Sequence, residues 1–186
     1  MAVQLLRRSF TVEDYHRMAQ AGILREDDRV ELLDGEILEI TPIGSRHAAC
    51  VDRLNPLFSD QVRRRAIVRI QNPIRLSERS EPQPDLTLLR PRPDFYAQAH
   101  PGPGDVLLVV EVAETFADVD RDVKVPLYAR AGILEVWLVD LAGECIEVSR
   151  TPTPQGYQEV QRLRRGQCMA SQAIPDPELA VDDVLG

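Results

Sequence analysis

Apolar and polar positions follow two rhythms along this chain. Val12, Tyr15, Met18 and Ala19 recur at helical spacing behind a Thr11–Asp14 capping signal, which predicts a helix over 12–21 ended by Gly22. The run Arg29–Ile40 then places β-favouring residues on both sides of Asp34-Gly35, a strong hairpin signal. Pro42 to Ser45 breaks that rhythm, and Ser45 can cap a helix from about 46 to 64. Its apolar face is Ala49, Leu54, Leu57, Phe58 and Val62, with Arg63, Arg64 and Arg65 closing the last turn.

Short β-like runs follow at 66–70, 73–76 and 85–89, with a longer one at 105–112. Arg90–Gly104 holds four prolines and two glycines and reads as a loop. A helix falls within 118–131, where Pro126 must start its main segment or kink it. Residues 135–140 form a buried strand with Trp137 in the core, and weaker strands at 145–150, 157–163 and 167–171 read as a meander. A tail over 175–186, carrying Pro175 and Pro177, packs as an appendage to a core of about 10–175. With no repeat, low-complexity segment or linker, 1–186 reads as one domain. Its element order predicts a central mixed sheet flanked by helices, in the α/β or α+β class.

Charge narrows the function. Thirty acidic against 22 basic side chains leave a formal charge of −8, unlike proteins that grip nucleic acid mainly by backbone electrostatics. An enzyme that works on phosphodiesters through bound cations needs clustered carboxylates and stays open. The longest apolar runs fall far short of the ~20 residues that span a bilayer, and no charged-then-apolar leader opens the chain. The expectation is a cytoplasmic protein with no membrane partner. Cys50, Cys145 and Cys168 fit neither a zinc spacing nor a disulfide framework and read as three buried thiols. Among the 22 basic residues, Lys124 is the only lysine. Its amine can be tuned by its surroundings, as a guanidinium cannot. It is either a chance survivor on a solvated face or the mark of a site.

Asp85 heads one strand, after Pro84, and Glu111 ends another that is apolar on both faces and hence central. A carboxylate there is costly to desolvate unless paired or bound to a cation. Strands ending side by side would bring both acids to one Mg²⁺; equally, each could cap the turn that follows it. Lys124 lies in the helix that returns toward the sheet. From there its amine could hold a phosphate oxygen and position or help deprotonate an attacking water.

Pro84-Asp85 followed by Val109-Val-Glu-Val-Ala113 resembles the PD-(D/E)xK pattern of restriction-endonuclease-like phosphodiesterases. Four segments match more narrowly: Val30-Glu-Leu-Leu-Asp-Gly-Glu36, Gln83-Pro-Asp-Leu86, Lys124–Gly132 and Glu135-Val-Trp-Leu-Val-Asp140. In this order they resemble the Uma2 family over about residues 10–175. The resemblance implies a restriction-endonuclease-like core with Asp85 and Glu111 as ligands of Mg²⁺ or Mn²⁺. Ala113 stands where the pattern expects its lysine, and the resemblance moves that role to Lys124.

Other candidates are less specific. Glu31 is a further acid at the metal or an exposed strand carboxylate beside Arg29. His47, near a helix N-terminus, is a phosphate donor or a packing residue. Gln71 precedes Asp85 in the strand order and belongs near the site. Arg63, Arg64, Arg65 and Arg69 are a patch for a nucleic-acid backbone or a helix-end device. His16 and His100 read as incidental, and Asp34 and Glu36 as turn residues. The expectation is a metal-dependent phosphodiesterase acting on DNA with catalytic Lys124, Asp85, Glu111 and Glu31. The other class is a non-catalytic module binding nucleic acid or protein on the same fold. A homodimer is suggested by nucleases of this fold, not by the residue pattern.

Overall fold

The computed structural model describes residues 8–25, 27–40, 42–114 and 120–186. Helix α1 (Val12–Gln20) starts where Thr11 and Asp14 cap each other reciprocally. Strands β1 (Val30–Leu33) and β2 (Glu36–Glu39) pair antiparallel. Their turn works because Asp34 and Gly35 both take positive φ, 48° and 82°, which matches the twist of a two-residue hairpin. Helix α2 (Ser45–Val62) begins at Gly44 without a side-chain cap, so Ser45 is its first residue and not its cap.

The frame is a six-stranded sheet. Its members are β3 (Ile67–Ile70), β4 (Leu86–Leu89), β5 (Val106–Ala113), β6 (Glu135–Asp140), β7 (Cys145–Thr153) and β8 (Gly156–Arg164). They lie side by side in chain order. All neighbours are antiparallel except β5 and β6. A parallel pair needs a crossover, which here carries a π-helical turn, Asp120–Lys124, and helix α3 (Val125–Arg130). This is the mixed, helix-flanked α+β sheet expected from the sequence. Two short strands, β9 (Cys168–Met169) and β10 (Leu179–Ala180), pair apart from it before helix α4 (Val181–Leu185).

Alternation in the strands builds two cores. One face of the sheet sends Leu86, Leu88, Val110, Trp137, Val139 and Val148 against Cys50, Leu54 and Phe58 of α2. The other sends Val109 and Val136 against Leu127, Tyr128 and Ile133. Trp137 is fully buried with its ring centroid 5.6 Å from that of Phe58. Its indole N–H donates to Glu135. Glu135, also fully buried, accepts further bonds from Arg150, Ser171 and the Gln172 N–H. That full satisfaction is what makes a buried carboxylate tolerable.

Several expectations need correction. Residues 73–76 form no strand: Ile74 and Leu76 bond back to Pro82 and Ser80 in a local turn. Pro73, Pro82 and Pro84 remove the donors a ladder would need. The run 167–171 leaves the meander, and only Cys168–Met169 pairs, with β10. The tail is not an appendage, because Leu179, Val181, Val184 and Leu185 enter the α2-side core. Cys168 is exposed, while Cys50 and Cys145 are buried. Arg63 takes φ 49° and ends α2, so Arg63, Arg64 and Arg65 follow the helix instead of closing it. Of the helix expected over 118–131, residues 118 and 119 lie outside the described residues. Among the described residues no helix is long and apolar enough to cross a membrane.

Candidate active site

Register brings the two acids together. Leu86 of β4 sits opposite Val110 of β5, so one step further along the antiparallel ladder Asp85 comes opposite Glu111. The Asp85 carboxylate is then held from three sides. Its Oδ2 accepts the Val112 backbone N–H at 2.8 Å and lies 3.1 Å from His47 Nε2. Its Oδ1 accepts Gln71 Nε2 at 3.3 Å. Gln71 can reach because it leaves β3 with φ 49°, its own N–H donating to the Asp85 carbonyl. His47 comes from the first turn of α2, and its Nδ1 is buried without a hydrogen-bond partner among the described residues.

Lys124 closes the other side. Its Nζ lies 3.1 Å from Glu31 Oε1, 3.4 Å from Glu111 Oε1 and 3.8 Å from Asp120 Oδ1. The lysine is only 8% exposed, so it is no survivor on a solvated face. Glu31 projects from β1 and its second oxygen accepts the Gln83 backbone N–H. The Tyr128 hydroxyl donates to Glu111 Oε1 at 2.5 Å. These groups surround a cavity of about 610 Å³ lined by Arg29, His47, Gln71, Asp85, Glu111 and Lys124, among others.

Burial and charge set the protonation states. Burial pushes the Glu111 carboxyl well above the usual carboxylate range, although Lys124 pulls it back. Burial also lifts Asp120, to about 6. For Lys124, burial works against the charge, but Glu111, Glu31 and Asp120 outweigh it and hold the amine above its ordinary value. An amine held this firmly protonated is a poor base; it acts through its positive charge. His47 is raised by its bond to Asp85, against burial.

The donor set is hard oxygen, the chemistry of Mg²⁺ and Mn²⁺. Among the described residues no three His, Cys, Asp or Glu side chains are grouped to hold a metal by themselves. The ammonium of Lys124 stands between the carboxylates. Mg²⁺ takes only one or two carboxylates and keeps several waters, so a site built on Asp85 and Glu111 fits that ion without a third ligand.

All six residues singled out in the sequence lie around this cavity: Glu31, His47, Gln71, Asp85, Glu111 and Lys124. Asp120 and Tyr128 escaped notice. Their signal was their spacing of four residues on either side of Lys124, which puts all three on one helical face. His16 Nε2 lies 2.7 Å from Oε1 of the buried Glu81. Arg69 stands over the Tyr96 ring, and Arg65 bonds the Gln61 and Asp176 carbonyls.

A family model, Uma2, described as "Putative restriction endonuclease", matches residues 12–182. The chain belongs to the Uma2 family. Among solved structures, this Uma2 chain is similar to one titled as a putative nuclease of DUF820 from Anabaena variabilis. The TM-score is 0.72 at 13% identity, covering 95% of this chain and 97% of the other. At that identity the likeness shows the fold. No curated protein matches. The family's description supports a nuclease-like function for the Uma2 chain.

Proposed function

We propose that this Uma2 chain is a metal-dependent phosphodiesterase that cuts DNA. The observation that carries the reading is the placement of its only lysine: buried, at the cavity, ion-paired to Glu31 and Glu111 where β5 ends. Asp85 and Glu111 would hold Mg²⁺ or Mn²⁺. Such an ion, when bound, supplies Lewis acidity toward a phosphoryl oxygen and lowers the pKa of a coordinated water.

The chain's own residues do the rest. The Val112 N–H, His47 and Gln71 orient Asp85, so its carboxylate needs no reorganisation when substrate arrives. Gln83 and Lys124 fix Glu31. The Lys124 ammonium faces the place where charge develops on the phosphate and offsets the repulsion between an acidic protein and an anionic substrate. His47, whose pKa is raised by its contact with Asp85, adds a second positive group when it is protonated. Cutting both strands of a duplex with one centre per chain calls for a homodimer. The free buried thiols of Cys50 and Cys145 suit a reducing, cytoplasmic setting.

The test is nicking of supercoiled plasmid by purified protein. We expect cleavage with Mg²⁺ or Mn²⁺, none with chelator, and none from a folded Lys124→Met variant. Cleavage that ignores either change would refute the reading. A non-catalytic binding module is the second reading, favoured by the lack of a ready-made group of three metal-holding side chains among the described residues. Calorimetry separates the two. If millimolar Mn²⁺ gives neither heat nor a rise in melting temperature, the binding module stands.

A further inference from the structure

Glu111 is held by a residue that no sequence pattern named. Its carboxylate has two oxygens, and they are treated differently. Oε1 accepts the Tyr128 hydroxyl at 2.5 Å and lies 3.4 Å from Lys124 Nζ. The tyrosine bond lies at the short end of O–H···O contacts. Among the described residues no hydrogen bond engages Oε2, and Glu111 lines the cavity. Rotation about the last bond of a glutamate is otherwise soft, with two near-equivalent orientations. Tyr128 removes that freedom.

The placement of Tyr128 is equally specific. It is fully buried, from α3, among Leu127, Ile133, Val109 and Val136. It stands four residues after Lys124, so the crossover presents an ammonium and a phenol on one side and brings both to a single carboxylate oxygen. A phenol suits this position, because its ring fills the apolar layer while its hydroxyl satisfies the acid.

We propose that Tyr128 is the positioning residue of the cation site: it pins Oε1 of Glu111 so that Oε2 is the oxygen offered to the metal. The inference rests on the metal-dependent reading above. Tyr128 does not touch substrate or ion, and its role passes through Glu111, as that of a hydrogen-bond partner behind a metal ligand does.

The experiment is a calorimetric Mn²⁺ titration of the full chain as wild type, Tyr128→Phe and Tyr128→His. Removal of such a supporting bond costs roughly 10–100-fold in metal affinity elsewhere. We expect Tyr128→Phe, which keeps the ring, to weaken Mn²⁺ binding by about tenfold, with an unchanged far-UV circular dichroism spectrum. The Mn²⁺ concentration for half-maximal cleavage should rise in parallel, while the rate at saturating Mn²⁺ largely recovers. Tyr128→His keeps an N–H donor but packs worse, and should bind Mn²⁺ more tightly than Tyr128→Phe. A purely packing role gives the reverse order. Equal Mn²⁺ affinity in wild type and Tyr128→Phe overturns the positioning role and leaves the nuclease reading intact. If wild type itself binds no Mn²⁺, both fall.

Discussion

The backbone N–H of Val112 donates to the Asp85 carboxylate at 2.8 Å. This bond ties the residue after one acid to the side chain of the other, so the acidic pair is locked to the ladder between β4 and β5. Asp85→Ala leaves that N–H, His47 and Gln71 without their acceptor. Stranded buried polar groups cost about 1–3 kcal/mol each, and His47 and Gln71 can turn toward the cavity. We expect about 1–3 kcal/mol of lost stability in urea unfolding, with loss of both Mn²⁺ heat and cleavage. Asp85→Asn should recover part of the stability and none of the metal binding.

Lys124→Met takes the ammonium from among Glu31, Glu111 and Asp120. Removing one partner of a buried pair costs about 3–5 kcal/mol. The loss should depend on pH. Both Glu111 and Asp120 have folded-state pKa values raised above their unfolded ones, Asp120 to about 6. Lys124 pulls both down, so its loss raises them further: the variant's folding takes up more protons, and its stability falls more steeply than wild type's as pH rises. Urea unfolding of the variant at pH 5 and pH 8 should show the larger deficit at pH 8.

His47 offers a direct view of the site. Its pKa is raised above 6.5 by the bond to Asp85. A raised histidine stabilises fully below its unfolded pKa, and the contribution fades as pH rises through the folded value. NMR titration of the imidazole C–H resonances should give a midpoint above 6.5 in metal-free protein. In Asp85→Asn it should fall, since the counter-charge is gone and burial remains.

Arg63→Gln, Arg64→Gln and Arg65→Gln combined should leave cleavage unchanged. These residues follow α2, whose 18 residues begin at His47's end of the site. At 1.5 Å per residue the two ends are about 27 Å apart. A plasmid-nicking rate that drops tenfold in the triple variant would show that substrate extends along the whole helix.

Much of this was legible in the chain itself. The doubly apolar run before Glu111 gave a central strand, and the Pro84-Asp85 head gave its neighbour's start. Lysine scarcity singled out Lys124 before any geometry. The Asp34-Gly35 turn and the α1 capping box came from local chemistry, which sequence carries directly. What escaped depends on register and packing. Asp120 and Tyr128 matter because the π-helical turn and α3 dock with one face toward Glu111, and Tyr128 alone looks like any core aromatic. The pairing of 168–169 with 179–180 is set by a return of the tail, which no local pattern announces. Residues 73–76 read as a β-like run, yet Ile74 and Leu76 are buried in a turn, with Pro73, Pro82 and Pro84 withholding ladder donors.

The two acids of the pair ride on the sheet, whereas the amine rides on the crossover between β5 and β6. A rigid ladder and a separately docked arm thus carry opposite charges of one centre. Any partner or substitution that tilts the arm by a fraction of a turn would unbalance the centre's electrostatics without unseating a single strand.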